Sequence, residues 1–210
     1  MAEGKWKLVI ATGNAHKLEE IRQILGEGVE VVGLREFPGI EPEEETATTF
    51  DGNARIKAES VSRQVAGLVL ADDSGLEVDA LKRQPGVRSA RYAGEGASDA
   101  DNRGKLMAAL RGKGLSESTA RFRCVMALAR GGETIGSFEG AVEGVVRVEE
   151  AGKGGFGYDP LFVPIGYQRS FAELPAAIKN ALSHRGKALQ GVLDWLQANT
   201  NLQKSLLEWR

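Results

Sequence analysis

The sequence predicts an α/β protein built on a mixed β-sheet, and the changing hydrophobic period along the chain carries that prediction. Through the first half, short apolar runs give way to amphipathic stretches at helical spacing, the rhythm of buried strands joined by helices. From Phe122 onward the pattern alternates every second residue around a Gly-Gly turn, as in an antiparallel meander. No fixed-period repeat or low-complexity linker interrupts the 210 residues, so one continuous fold is expected over 1–210.

Lys7 to Ala11 (KLVIA) reads as a strand buried on both faces. Leu18, Ile21, Ile24 and Leu25 then recur along one helical stripe that stops at Gly26. Val29–Leu34 is a second strand, followed by an acidic, turn-rich stretch over Pro38–Glu45. Phe50 to Ala66 is expected to be a helix, with Ala54, Val61 and Val65 inward and Arg55, Glu59 and Arg63 outward. Leu68–Ala71 is a short buried strand running into Asp72-Asp73-Ser74-Gly75. Ser98-Asp99-Ala100-Asp101 has the pattern of a capping box opening a helix through Leu106, Met107 and Leu110. Phe122, Cys124, Met126 and Leu128 face one way along a strand, Gly131-Gly132 turns it, and Thr134–Phe138 with Val142, Gly144, Val146 and Val148 returns. A Gly-rich loop, Gly152–Tyr158, leads to Pro160–Pro164, and a last helix opens after Ser183 through Leu189, Val192, Leu193 and Leu196.

Composition bounds the function. With 42% hydrophobic and 27% charged residues the chain resembles an ordinary globular protein rather than a disordered one. A formal charge of −2 and a pI near 5.9 argue against a nucleic-acid-coating surface. No apolar run approaches the about 20 residues that span a bilayer, and the N-terminus has no signal-peptide core. The single cysteine, Cys124, fits a reducing, cytoplasmic compartment and reads as core. Two histidines and one cysteine exclude a His/Cys zinc cage.

Five constellations carry chemistry. At the first strand–helix junction, Thr12-Gly13-Asn14-Ala15-His16-Lys17 puts two cations in a helix first turn, against the macrodipole. An anion such as a phosphate would resolve that conflict, and an ordinary βα turn is the alternative. Asp72 and Asp73 end a buried strand, where α/β proteins bind ligands, and suit Mg²⁺. In a regular strand they would face opposite ways, so a break at Ser74-Gly75 is expected if they share a site; otherwise they are solvated loop aspartates. The run Glu43-Glu44-Glu45 could complete a metal site, though spacing does not choose among the three, and a solvated acidic face is the alternative. The segment Gly152–Pro160 offers a close-approaching backbone, and Phe156 and Tyr158 could stack on a base or fall back onto the core. Finally, Lys179, His184 and Arg185 place cations around the start of the last helix.

Thr12-Gly13-Asn14-x-x-Lys17, Thr49-Phe50-x-x-Asn53-Ala54-x-x-Lys57-Ala58, Ala71 to Leu76 (ADDSGL), Pro85 to Tyr92 (PGVRSARY), Gly154 to Pro160 (GGFGYDP) and Ser183-His184-Arg185 follow one another in an order that closely resembles the inosine/xanthosine triphosphate pyrophosphatases. The resemblance runs from about residue 7 to residue 197, leaving 199–210 outside it. It implies an elongated α/β fold, a long mixed sheet with flanking helices, two lobes around a central cleft, and a homodimer. It also implies Mg²⁺-dependent hydrolysis of small-molecule substrates, the noncanonical purine nucleoside triphosphates dITP/ITP and XTP, to the monophosphate and pyrophosphate. By that resemblance Thr12, Gly13, Asn14, Ala15, His16 and Lys17 hold the triphosphate. Asp73 is general base and metal neighbour, Lys57 faces the phosphate charge, and Glu45 (or adjacent Glu44) is the second metal carboxylate. Ser74, Phe156, Gly157, Tyr158, Asp159, Lys179, His184 and Arg185 contact substrate. The chain departs from the family at Ala47, where a glycine is common. A related pyrophosphatase acting on modified nucleotides and a non-catalytic nucleotide-binding protein are the alternatives; Asp73 speaks against the latter, since a carboxylate beside a polyanion needs a metal or a proton transfer to be useful.

Overall fold

A computed structural model of the chain describes residues 6–199; the 200–210 part of the C-terminal tail lies outside the described residues. Strand β1 (Trp6–Ile10) leads through a short turn into helix α1 (Ala15–Leu25), whose buried stripe of Ile21 and Leu25 ends at Gly26 with a positive φ. Strand β2 (Val29–Gly33) follows, then an extended stretch without regular structure before helix α2 (Phe50–Ser62). The helix stops four residues short of the expected Ala66. Its last carbonyls tighten, with Gln64 and Val65 both donating to the Val61 carbonyl, and Gly67 takes a positive φ just beyond. Val65 is still buried as expected, on a turn rather than on a helix.

Strand β3 runs from Leu68 to Val78, well past the predicted Ala71. The expected break at Ser74-Gly75 does not occur, because the strand continues and pairs with β4 (Gln84–Pro85) through Glu77 and Val78. Helix α3 (Asp99–Arg111) opens on the predicted capping box, Ser98 and Asp101 each bonding the other's backbone N–H. Strands β5 (Glu117–Arg130) and β6 (Glu133–Arg147) are joined by Gly131 and Gly132, both with positive φ, as a two-residue hairpin turn requires. Strand β7 (Phe162–Pro164) pairs antiparallel with β6. Helices α4 (Ala176–Leu182) and α5 (His184–Ala198) are the last elements among the described residues; the seven-residue α4, opening after Pro175, is not anticipated by the sequence pattern.

Among the described residues the strands form one seven-stranded sheet in the order β2-β1-β3-β5-β6-β7, with β4 paired to β3. Pairing of β1 with β2 and with β3 is parallel, whereas β3–β4 and β6–β7 are antiparallel, so the sheet is mixed as predicted.

The chain divides into two compact units. The first comprises residues 1–73, 125–139 and 186–210. The core of its described part gathers Val9, Val32, Val69 and Ala71 from the strands against Ala54, Ala58 and Val61 of α2. The small residues at 54 and 58 let that helix lie close to the sheet. The second unit comprises 74–124 and 140–185. Leu76, Val78, Phe122, Val142, Val146 and Phe162 form its core with Leu106 and Leu110 of α3.

Candidate functional site

In the first unit, Asn14 caps α1: its side-chain oxygen accepts the N–H of His16 (2.9 Å) and Lys17 (3.2 Å). Two of the first-turn donors are therefore already used. The Lys17 ammonium, a cation at the wrong end of its helix, lies 2.9 Å from Asp72 Oδ2, whose side chain is completely buried. That pairing is the compensation the sequence did not reveal, because 55 positions separate the two residues. Thr12 Oγ1 accepts the Asn14 N–H at 3.2 Å, while Gly13, Asn14, Ala15 and His16 remain exposed around the turn.

Asp72 and Asp73 alternate along an unbroken strand and make separate contacts. Asp73 Oδ2 accepts from the Asn53 amide at 3.0 Å, and its Oδ1 lies 3.8 Å from Lys57 Nζ. Lys57, on α2, donates to Glu45 Oε1 at 2.6 Å and to the Asp72 carbonyl at 2.7 Å. Glu45, Lys57 and Asp73 are thereby brought together in one cluster, with Lys17 and Asp72 beside it. Burial is the largest influence on Asp73 and raises its pKa to about 6, opposed by Lys57, reinforced by Glu45, and opposed again by Lys17 and the Asn53 hydrogen bond. For Lys57, burial alone would depress the ammonium. Asp72, Asp73 and Glu45 together outweigh it, so its pKa is raised and the group stays charged.

Asn53 was legible only as part of a motif, yet it ties the cluster together. Its Oδ1 accepts the Ala47 N–H at 2.9 Å while its Nδ2 serves Asp73, joining the strand carboxylate to the loop that carries Glu45. Ala47, the residue that departs from the family pattern, comes so close to α2 that a side chain on Gly52 would meet its Cβ at 2.6 Å. The loop thus accommodates an alanine by resting on a glycine of the helix. Glu44 is exposed, and Glu43 pairs instead with Arg63 at 2.8 Å. Among the described residues no three His, Cys, Asp or Glu side chains gather as a metal cage. Glu45 and Asp73 suit a hard cation that binds through one or two carboxylates and keeps waters or substrate oxygens as its other ligands.

The second unit holds the remaining candidates. Arg185 is buried and donates from Nη2 to Ser74 Oγ at 3.1 Å. His184 stacks on Phe122 with ring centroids 4.9 Å apart, and Phe122 in turn packs on Phe162 and Phe171. Lys179 Nζ bonds the buried Asp159 carboxylate at 2.6 Å, and the same oxygen accepts the Phe156 N–H at 2.9 Å. Lys179 and Arg185 lie 5.1 and 5.6 Å from the centre of the Phe156 ring, within cation–π range. Ser74, Phe156, Asp159, Lys179 and Arg185 therefore converge within this unit.

Tyr158 does not join the half-buried Phe156 as a second platform. Its ring is buried in the core of the unit and its hydroxyl donates to the Ser89 carbonyl at 2.9 Å. Burial, followed by the negative charge potential of Tyr92 and Asp99, pushes the phenol pKa well up. The Gly157 peptide is held by α3, its N–H donating to Asp99 Oδ2 at 2.7 Å and its carbonyl accepting from Arg103 Nη1 at 3.0 Å. No local spacing could have announced those contacts, which join residues more than 50 positions apart.

The mixed-sheet α/β fold thus carries a carboxylate–lysine cluster in its first unit and a cation-flanked aromatic loop in its second. The chain belongs to the Ham1 family, whose model matches residues 8–195. It is 49% identical to a dITP/XTP pyrophosphatase of Desulforamulus reducens, over 90% of this chain and 95% of that protein. A dITP/XTP pyrophosphatase of Halalkalibacterium halodurans is 47% identical, over 90% of this chain and 97% of its own length. Among solved structures, a HAM1 protein from Coxiella burnetii superposes with a TM-score of 0.82 at 40% identity, covering 92% of this chain and 99% of that one. The Staphylococcus aureus Ham1 protein gives a TM-score of 0.79 at 36% identity, covering 91% and 98%.

Proposed function

We propose that this chain hydrolyses noncanonical purine nucleoside triphosphates, dITP/ITP and XTP, to the nucleoside monophosphate and pyrophosphate. The observation that carries this reading is the Glu45–Lys57–Asp73 cluster in a chain so similar to dITP/XTP pyrophosphatases. Asp73 is buried, near a lysine that stays charged, with a pKa lifted to about 6. A carboxylate so poised is largely ionised at neutral pH yet basic enough to take a proton from an attacking water. Lys57 is an ammonium beside the carboxylates and supplies positive charge toward phosphate oxygens. Thr12, Gly13, Asn14, Ala15, His16 and Lys17 form the turn that would receive the triphosphate at the helix start, with Gly13 to His16 exposed.

Glu45 and Asp73 would hold Mg²⁺, which when bound neutralises phosphate charge. In the second unit, Phe156 offers a ring face to the base and the buried Arg185 offers donors toward a 6-keto oxygen. Ser74, Gly157, Asp159, Lys179 and His184 support that recognition, and Tyr158 contributes by anchoring the loop rather than by stacking. The same reading takes the enzyme to be a cytoplasmic homodimer, in keeping with a single cysteine and a soluble nucleotide substrate. Among the described residues no helix is long and apolar enough to cross a membrane.

The test is product accounting. Incubation with ITP and Mg²⁺ is expected to release pyrophosphate and inosine monophosphate in equal amounts. Release of orthophosphate with inosine diphosphate, or no turnover of ITP or XTP, would contradict the proposal.

A further inference from the structure

Phe156 sits in a loop, Gly152–Tyr158, that belongs to none of the strands or helices. Hydrogen bonds hold the two peptides flanking its Cα. The peptide before it offers the Phe156 N–H to Asp159 Oδ2 at 2.9 Å. The peptide after it offers the Gly157 N–H to Asp99 Oδ2 at 2.7 Å. One peptide further on, the Gly157 carbonyl accepts from Arg103 Nη1 at 3.0 Å. Gly157 itself has φ +60, a conformation that few other residues would accept. Asp99 and Arg103 are four positions apart on α3 and so share one helix face. Arg103 Nε also lies 3.0 Å from Glu150, tying the helix to the chain just before the loop. All of these groups belong to the second unit.

We propose that Asp99 and Arg103 are positioning residues for base recognition: together they clamp the Gly157 peptide and so hold the Phe156 ring in its base-binding orientation. Both bonds join a charged side chain to a backbone group, the stronger class of hydrogen bond. A loop ordered before binding spares the ligand the cost of ordering it, so the clamp acts on affinity for the base rather than on bond cleavage. The proposal rests on Phe156 being the base-binding ring. It adds two residues that neither motif spacing nor the family pattern singled out.

The experiment measures binding of two probes, inosine monophosphate and inorganic pyrophosphate, by calorimetry, together with kcat and KM for ITP. The proteins are the wild type, Asp99→Ala, Asp99→Asn, Arg103→Met and the Asp99→Ala/Arg103→Met pair. Arg111→Ala is the control, because Arg111 makes a comparable tie from α3 to the Val148 carbonyl (2.7 Å) without touching the loop. The double variant is expected to bind inosine monophosphate about tenfold or more weakly while pyrophosphate affinity changes less than about twofold. KM for ITP should rise with kcat little altered. Asp99→Asn should recover most of the binding, since an amide oxygen still accepts the Gly157 N–H. Should the pair fail to fold, the single variants decide by the same contrast. Equal weakening of both probes, no weakening of either, or an equal effect from Arg111→Ala overturns the clamp. A wild type that turns over no ITP overturns the functional reading, and the clamp with it; a wild type that does, beside unaffected clamp variants, overturns the clamp alone.

Discussion

Replacing Asp73 by asparagine should make the protein more stable and nearly inactive at once. Burial is the main reason the Asp73 pKa rises from 3.8 to about 6. That gap corresponds to about 3 kcal/mol at 1.36 kcal/mol per pH unit. The sign follows from the direction. A raised folded pKa makes the group's contribution most favourable below the unfolded value of 3.8, and that advantage is lost as pH climbs through about 6. Above about 6 the folded protein therefore carries a penalty for an ionised, desolvated carboxylate. Asparagine cannot ionise, and it can still turn its oxygen toward the Asn53 amide that now donates to Asp73 at 3.0 Å. Its own NH₂ would then face the Lys57 ammonium, 3.8 Å from Asp73 Oδ1, and two donors in opposition give back part of the gain. The net expectation is a stabilisation of about 1–2 kcal/mol near neutral pH, fading toward about pH 4. Loss of the proton acceptor should lower kcat by about 10²–10⁴. Urea unfolding in metal-free buffer at the two pH values, beside kcat for ITP, provides the check. A variant that is less stable at neutral pH, or whose kcat stays within about tenfold of the wild type, would refute the assignment of Asp73 as a desolvated base.

Lys57→Met should cost about 3–5 kcal/mol near neutral pH, because Glu45, Asp72 and Asp73 lose the ammonium that binds or faces them. Denaturant unfolding measures it, the loss should shrink on acidification as the carboxylates protonate, and an unchanged midpoint contradicts it. The kcat/KM for ITP should climb as pH rises through about 6, since the proposed base Asp73 must be ionised to accept a proton. Bound Mg²⁺ would draw that limb lower, and a profile rising only above about pH 8 would point to another base. Chelation by EDTA should abolish turnover and added Mg²⁺ restore it, if Glu45 and Asp73 hold the metal as proposed; full activity after exhaustive chelation is the contrary result.

Much of the fold was legible because local patterns dominate its elements. The capping box at Ser98–Asp101 and the alternating Val142, Gly144, Val146 and Val148 each act through near neighbours, and both appear where the sequence puts them. The misjudged boundaries have nonlocal causes. Ser74-Gly75 looks like a turn, but pairing of Glu77 and Val78 with β4 keeps β3 running, so tertiary context overrides the turn signal. The candidate site was legible as residue types and in part as geometry. His16 and Lys17 stand out in the sequence as misplaced cations, yet the partner of Lys17 is Asp72, reached only through the fold. The Gly-rich loop stands out as a place for aromatics, but a sequence does not say which of the two goes into the core. Tyr158 has a hydroxyl that the Ser89 carbonyl can satisfy in the core, whereas Phe156 stays beside Lys179 and Arg185.

Central to the proposed function is discrimination at the purine 6-position. Hypoxanthine presents a keto acceptor there and adenine an amino donor, which would oppose the donor-only guanidinium of the buried Arg185. Sites built to pair with a substrate's polar edge can discriminate by about 10⁴ or more when that edge is wrong. The most direct measurement is therefore kcat/KM for ITP against ATP under the same Mg²⁺. A preference for ITP of at least about 10² is expected, and comparable values for the two would contradict the mechanism.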